Sequence, residues 1–233
     1  MTRYTTASGP EGEHEPGSHG RVLRNLLGIK SERAMDEAEA AELDAVQKRY
    51  YADGTVTERT EFTSALVKQM HSDWLGAIYE WAGRYRTVEM SKGSFAFPPA
   101  YLIEQNMARL EAEALAKLTP CRAGPIGVVC LAVAQVHAEL LLIHPFRDGN
   151  GRLARWLADM MFTQAGLPLP DYSFGETEPK GLREEYLGAV LRGYGQDYSD
   201  LAGFFERALE RGLPAARNLD KARGEAPSKT DES

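Results

Sequence analysis

The chain has 233 residues, 43% hydrophobic and 26% charged, with a formal net charge of −7. That length and balance suit one globular domain with terminal extensions. The acidic balance argues against general binding to DNA, RNA or anionic lipid, which needs an excess of Lys and Arg.

Two cysteines, Cys121 and Cys130, form neither a disulfide framework nor a CxxC zinc site, and they fit a reducing compartment. The N-terminus lacks a signal peptide's apolar core, and no apolar run reads as long enough to span a bilayer. A cytoplasmic protein with no membrane partner is expected.

Residues 1–20 are polar and rich in Gly, Pro and Glu, which predicts a flexible tail. Residues 213–233 read the same way, leaving 21–212 as the domain. Met35, Ala38, Leu43, Val46 and Tyr50 form one stripe of a first helix, interrupted by Glu39 and Glu42. A second helix starts near Thr63, carries Leu66, Met70, Trp74, Ile78 and Trp81 on one face, and should stop at Gly83. Residues 84–97 change to period two around an SKGS turn and predict a short hairpin. Leu102, Met107 and Leu110 mark another helix over 101–117. Pro125 opens a strongly apolar helix, about 126–143, predicted to be central and buried. A helix from about Gly151 to Gln164 follows, then an amphipathic pair over 181–212. The fold class is mostly α, a helical bundle around one buried helix with one hairpin.

The segment LLIHPFRDGNGRLAR, residues 141–155, concentrates the chemistry. Gly149, Asn150 and Gly151 let the backbone turn tightly and approach a ligand. The unpaired amides of the helix that follows make an anion site. Arg152 and Arg155, three apart, suit a polyphosphate. Asp148 suits a Mg²⁺ ion shared with phosphate oxygens. His144 suits proton abstraction near neutral pH. Taken singly, each feature is commonly structural; their occurrence together within twelve residues points to attack on a nucleotide phosphate. The sequence contains no Walker A, HExxH or GxSxG motif. His71, His137, Trp74, Trp81 and Trp156 read as interior residues.

HPFRDGNGRLAR resembles the signature of the Fic family at every defined position. WLGAIYEWAGRYRTVEMSKGSFAF resembles that family's helix and flap hairpin, and VLRNLLGIKSERAMDEAEAAEL its N-terminal region in toxin-like bacterial members. The resemblance spans about residues 21–212 and implies a Fic fold. It implies a protein adenylyltransferase that moves AMP from MgATP to a Ser, Thr or Tyr hydroxyl. His144 would be the general base, Phe146 the inward anchor of the loop and Asp148 the Mg²⁺ ligand. Gly149, Asn150 and Gly151 would form the anion hole, with Arg152 and Arg155 as phosphate clamps. The flap, Ser91, Lys92, Gly93, Ser94 and Phe95, would register the target by strand addition. Family members that transfer phosphate carry Ala and Lys where this chain has Gly149 and Gly151, which favours AMP transfer here.

The rivals are another donor or group (UMP, phosphate or phosphocholine), removal of AMP, and a non-catalytic binding module. Many members are restrained by an internal Ser/Thr-x-x-x-Glu-Gly/Asn helix. Here Glu-Gly occurs only at Glu11–Gly12, with Ala7 four before the Glu, and Ser228–Glu232 is a degenerate copy. A toxin-like class restrained by a separate small antitoxin is therefore expected, docking on residues 21–50. By analogy, DNA gyrase or topoisomerase IV would be the target.

Overall fold

The computed structural model describes residues 5–6, 10–54, 57–175 and 179–224. Helix α5 (Ile126–Ile143) is the centre of the bundle. It packs against α3 (Ile103–Leu110), α6 (Asn150–Gln164), α7 (Leu182–Gly193) and α8 (Ser199–Gly224). Its sequence explains the position, because Val129, Cys130, Val133, Ala134, Val136, Ala138 and Leu140 bury apolar surface on several sides. At Gly193 an added Cβ would lie 2.7 Å from the Ala138 Cβ, so glycine permits the close approach of α7. Phe204 and Phe205 of α8 complete an aromatic cluster with Phe162, Tyr172 and Tyr186.

Helix α5 corrects one expectation. Its 18 residues have a mean hydropathy of 2.1, long and apolar enough by composition to cross a membrane. Gln135, His137 and Glu139 interrupt that run without lowering its mean below the spanning range. More than half of it, 56%, is buried inside the fold.

Helix α1 (Glu32–Ala52) is capped by Ser31 and α2 (Ser64–Leu75) by Thr63, whose hydroxyl accepts the Leu66 N–H at 3.1 Å. The stripe predicted to run to Trp81 leaves the helix at Leu75. There the Ile78 and Tyr79 N–H groups both fold back on the Leu75 carbonyl, at 2.9 and 2.8 Å. Ile78 and Trp81 stay buried. Helix α3 continues through a π turn, Glu111–Leu115, into α4 (Ala116–Leu118).

The hairpin is shorter than predicted. Strand β2 (Met90–Lys92) pairs antiparallel with β3 (Phe95–Ala96), Ser91 opposite Ala96. Residues 84–89 do not join it, because the Arg86 and Thr87 amides bond to Pro145 and Glu11 instead. A third strand, β1 (Thr5–Thr6), lies on the other edge of β2.

The described part of the expected tail 1–20 is held to the fold. Glu15 N–H bonds to the Val22 carbonyl at 2.9 Å and Arg24 N–H to the Glu13 carbonyl at 3.0 Å, and Ser18 is buried. Backbone pairing fixes this segment where composition predicted none. The expected boundary at 213 falls inside α8, which continues to Gly224. Ser228–Glu232 lies outside the described residues.

Phe205 is fully buried and edge-on to His137 and Phe162. Phe205→Ala should cost about 3–5 kcal/mol, read as a lowered urea midpoint. A change below about 1 kcal/mol would contradict the packing described.

Candidate active site

The loop between α5 and α6 begins with His144 at φ 51°, ψ 59°. Pro145 disfavours helical backbone at the residue before it, so α5 stops there and His144 takes the left-handed conformation. This backbone costs on the order of 1 kcal/mol and must be held. The His144 N–H bonds to the Leu140 carbonyl at 3.0 Å. Its carbonyl accepts Arg86 Nε at 2.8 Å, and the Pro145 carbonyl accepts the Arg86 N–H at 2.8 Å.

Phe146 is fully buried and stacks on His71, with ring centroids 3.9 Å apart. His71 is itself fixed. Its Nδ1 accepts the Gly83 N–H at 2.9 Å, so the proton is on Nε2, which donates to the Asp148 carbonyl at 3.1 Å. Asn150, read as a phosphate residue, spends its side chain on the loop. It accepts the Phe146 N–H at 3.0 Å and donates to the Phe146 carbonyl at 2.8 Å. Gly149 has φ 81°, and an added Cβ would lie 2.8 Å from the Trp74 ring. Its conformation and the ring both require glycine. The first-turn amides of α6 remain as the anion site.

His144 is 4% exposed and stacks on Phe97 at 3.8 Å, so the loop position is closed over by the hairpin. Its Nδ1 faces the Leu141 carbonyl at 3.2 Å, a contact that needs the proton on Nδ1. Nε2 is then the basic nitrogen. Burial, with the Arg86 and Lys92 charges adding to it, pushes the pKa down to about 3.

The two arginines have different surroundings. Arg152, read as a phosphate clamp, is turned under α1, where Nη1 meets the Glu39 carboxylate at 2.5 Å. Its Nη2 is 3.7 Å from Asp148 Oδ1, and its guanidinium lies over the Trp74 ring. Glu39 is buried and also accepts the Tyr79 hydroxyl at 2.7 Å. Arg155 instead lines a cavity of about 470 Å³ together with His144, Gly151, Lys92, Gly93, Ser94, Phe95 and Phe97. Phe174, Arg183, Tyr186, Leu191 and Tyr194 line its far side. Among the described residues three cations and no carboxylate line this space, beside aromatic rings that suit a nucleobase. Ser91 is on β2, next to the lining rather than in it.

Asp148 Oδ1 accepts the Gly149 N–H at 2.6 Å and faces Arg152, which leaves Oδ2 as a hard oxygen donor. No cluster of three or more metal-ligating side chains occurs among the described residues. One carboxylate with ligand phosphates fits Mg²⁺, which keeps most of its waters, better than a metal needing a protein cage.

Sequence reasoning missed Arg86, Glu39 and Arg183. Glu39 did leave a signal, a carboxylate interrupting an otherwise apolar stripe. Arg86 is 2% exposed and joins three carbonyls, those of His144, Val88 and Pro98, tying the loop to both roots of the hairpin. Nothing in RYRTVEM distinguished it from a surface arginine.

Residues 61–162 match the model of the Fic/DOC family, a span that includes the whole loop. The chain is also 30% identical over 209 residues to a "Probable protein adenylyltransferase y4lH" of Sinorhizobium fredii, covering 90% of this chain and all of that protein. The chain belongs to the Fic/DOC family. A further relative, "Protein adenylyltransferase VbhT" of Bartonella schoenbuchensis, is 28% identical over 96% of this chain. The chain spans 44% of VbhT's length. The Fic fold is shared with BepC of Bartonella tribocorum, solved with AMPPNP bound (TM-score 0.62, 21% identity, 80% of this chain and 91% of that one). It is also shared with BepA, a type IV secretion system effector (TM-score 0.64, 20% identity, 91% and 74%).

Two predictions follow from the charges. Glu39→Ala leaves the half-buried Arg152 without its carboxylate and should cost about 1–3 kcal/mol in denaturant unfolding. A cost near zero would mean that the pair is solvated.

The second concerns acid. Burial holds His71, His137 and His144 at about 4, 3 and 3, below the unfolded value near 6.5, so each contributes stability above that value and loses it as pH falls. Asp159, raised by burial to about 7, offsets one of the three protons. The urea-derived stability should therefore fall by roughly 3 kcal/mol per pH unit between about pH 6 and 4.5. A flat profile there would contradict neutral buried histidines.

Proposed function

We propose that this chain is a protein adenylyltransferase that moves AMP from ATP to a protein hydroxyl. The observation that carries the reading is the cavity where His144, Arg155, Arg183 and Lys92 meet beside the rings of Phe95, Phe97, Phe174 and Tyr194. Relatives named as protein adenylyltransferases, and AMPPNP and ADP bound by Fic-fold neighbours, support it.

In this reading the target hydroxyl oxygen attacks the α-phosphorus of ATP. The bond from that phosphorus to the bridging oxygen breaks and pyrophosphate leaves. The hydroxyl proton passes to His144 Nε2, the nitrogen left basic by the Nδ1 contact. Asp148 would hold Mg²⁺, which when bound neutralises phosphate charge. The α6 amides and Arg155 receive the phosphates. Arg152 braces Asp148 and the loop from below rather than reaching the cavity.

Among the described residues Arg155 is met by Tyr186 and, electrostatically, by Asp159 of its own helix, and no glutamate of an inhibitory Ser/Thr-x-x-x-Glu-Gly/Asn helix reaches it, which fits restraint supplied by a separate protein. A small antitoxin-like partner is part of the proposal.

Transfer of label from α-labelled ATP with Mg²⁺ into lysate proteins tests the reading. His144→Ala should lower it by about 10²- to 10⁴-fold, while Arg155→Ala should chiefly raise the KM for ATP. The wild-type rate should show no acid limb near pH 6.5, because the folded enzyme keeps His144 neutral well below that pH. Full activity in His144→Ala would refute the mechanism. Label that comes only from γ-labelled ATP or from UTP would replace the donor or group assigned.

A further inference from the structure

A strand has two hydrogen-bonding edges, and both edges of β2 are taken. Its inner edge pairs with β3. Its outer edge pairs antiparallel with β1, Thr5 opposite Ser91 and Thr6 opposite Met90. At Glu11 the carboxylate accepts the Thr87 N–H at 3.1 Å and the Thr87 hydroxyl at 3.3 Å. The Glu11 carbonyl accepts Arg147 Nε at 2.8 Å. Thr5 and Thr6 thus lie along the outer side of Met90 and Ser91, and Glu11 bonds to Thr87 and to Arg147 of the catalytic loop, between His144 and Asp148 in sequence.

We propose that the chain's own N-terminal strand β1 occupies the outer edge of β2, the edge on which an extended target segment would add, so that a target must displace it. The inference rests on the transferase reading of the adjoining cavity.

The argument is one of hydrogen-bond accounting. Strand addition needs an edge whose N–H and C=O groups accept a new partner, and on β2 those groups already face β1. A two-residue pairing is weak alone, but Glu11 tethers it next to its site. A short tether acts like a millimolar local concentration, so a loosely binding target is held off and a tight one is not. The effect falls on target binding and leaves His144, Asp148 and Arg155 as they are. Because the pairing is made by backbone, the surface favours an extended segment running antiparallel to β2 and reads little of its sequence.

The test uses the full chain. A Thr5→Pro, Thr6→Pro double variant removes both amides and cannot continue the ladder. A Thr5→Val, Thr6→Val control keeps strand propensity and removes both hydroxyls. Amide exchange at Ser91, whose backbone groups face β1 while those of Met90 face β3, should speed up by roughly tenfold or more in the Pro variant and stay at the wild-type rate in the Val control. Transfer of α-label to lysate proteins should rise several-fold in the Pro variant only.

Unchanged exchange in the Pro variant would overturn the occupancy. Faster exchange with unchanged, His144-dependent labelling would show that targets dock elsewhere, for instance on the outer edge of β3. A rise in labelling equal in the Val control would assign the effect to the hydroxyls and overturn backbone competition. No label from any variant would refute the transfer reading and the competition with it, and exchange would still report whether the edge is covered.

Discussion

Phe146 is the point on which the catalytic loop turns. Its ring is buried against His71, and its own N–H and carbonyl are both taken by the Asn150 side chain. Four residues of loop are thereby closed into a small, rigid ring between two helices. His144 and Asp148 sit on either side of Phe146, so their positions are set by packing rather than by a ligand. Arg86 fixes the near end through the His144 carbonyl, and His71 fixes the far end through the Asp148 carbonyl. The strained backbone of His144 persists because these contacts over-determine it.

The same economy governs charge. Arg152 and Arg155 are three residues apart on α6, yet one faces a buried carboxylate and the other an open cavity. Buried Glu39 neutralises half-buried Arg152, and the pair, with Trp74 beneath it, forms the floor of the loop. Arg155 lines the cavity, backed by the Phe174 ring and held by Tyr186. A site for polyphosphate needs both conditions, fixed structural charge below and positive charge facing the cavity above.

Local patterns carried much of this into the sequence. The central helix, the hairpin turn and the loop signature are each contiguous, so periodicity, turn residues and motif spacing displayed them. His71 and His137 read correctly as interior residues: both have each ring nitrogen hydrogen-bonded inside the fold. What the sequence hid depends on distant pairing. Arg152 looked like a phosphate clamp because its partner Glu39 lies on another helix. Arg86 looked solvated because its three carbonyl partners are spread from Val88 to His144. The N-terminal strand looked like a tail because its order comes from an edge on β2, and composition contains no trace of that edge.

The claim at the centre of the account is that packing holds His144 neutral, with the proton on Nδ1 and Nε2 presented as the base. Nitrogen-15 NMR of the histidine rings reads this directly across pH. The account predicts an Nδ1–H tautomer for His144 that persists unprotonated to pH 5 in the folded protein. An Nε2–H tautomer, or titration near pH 6.5 with the fold intact, would contradict it.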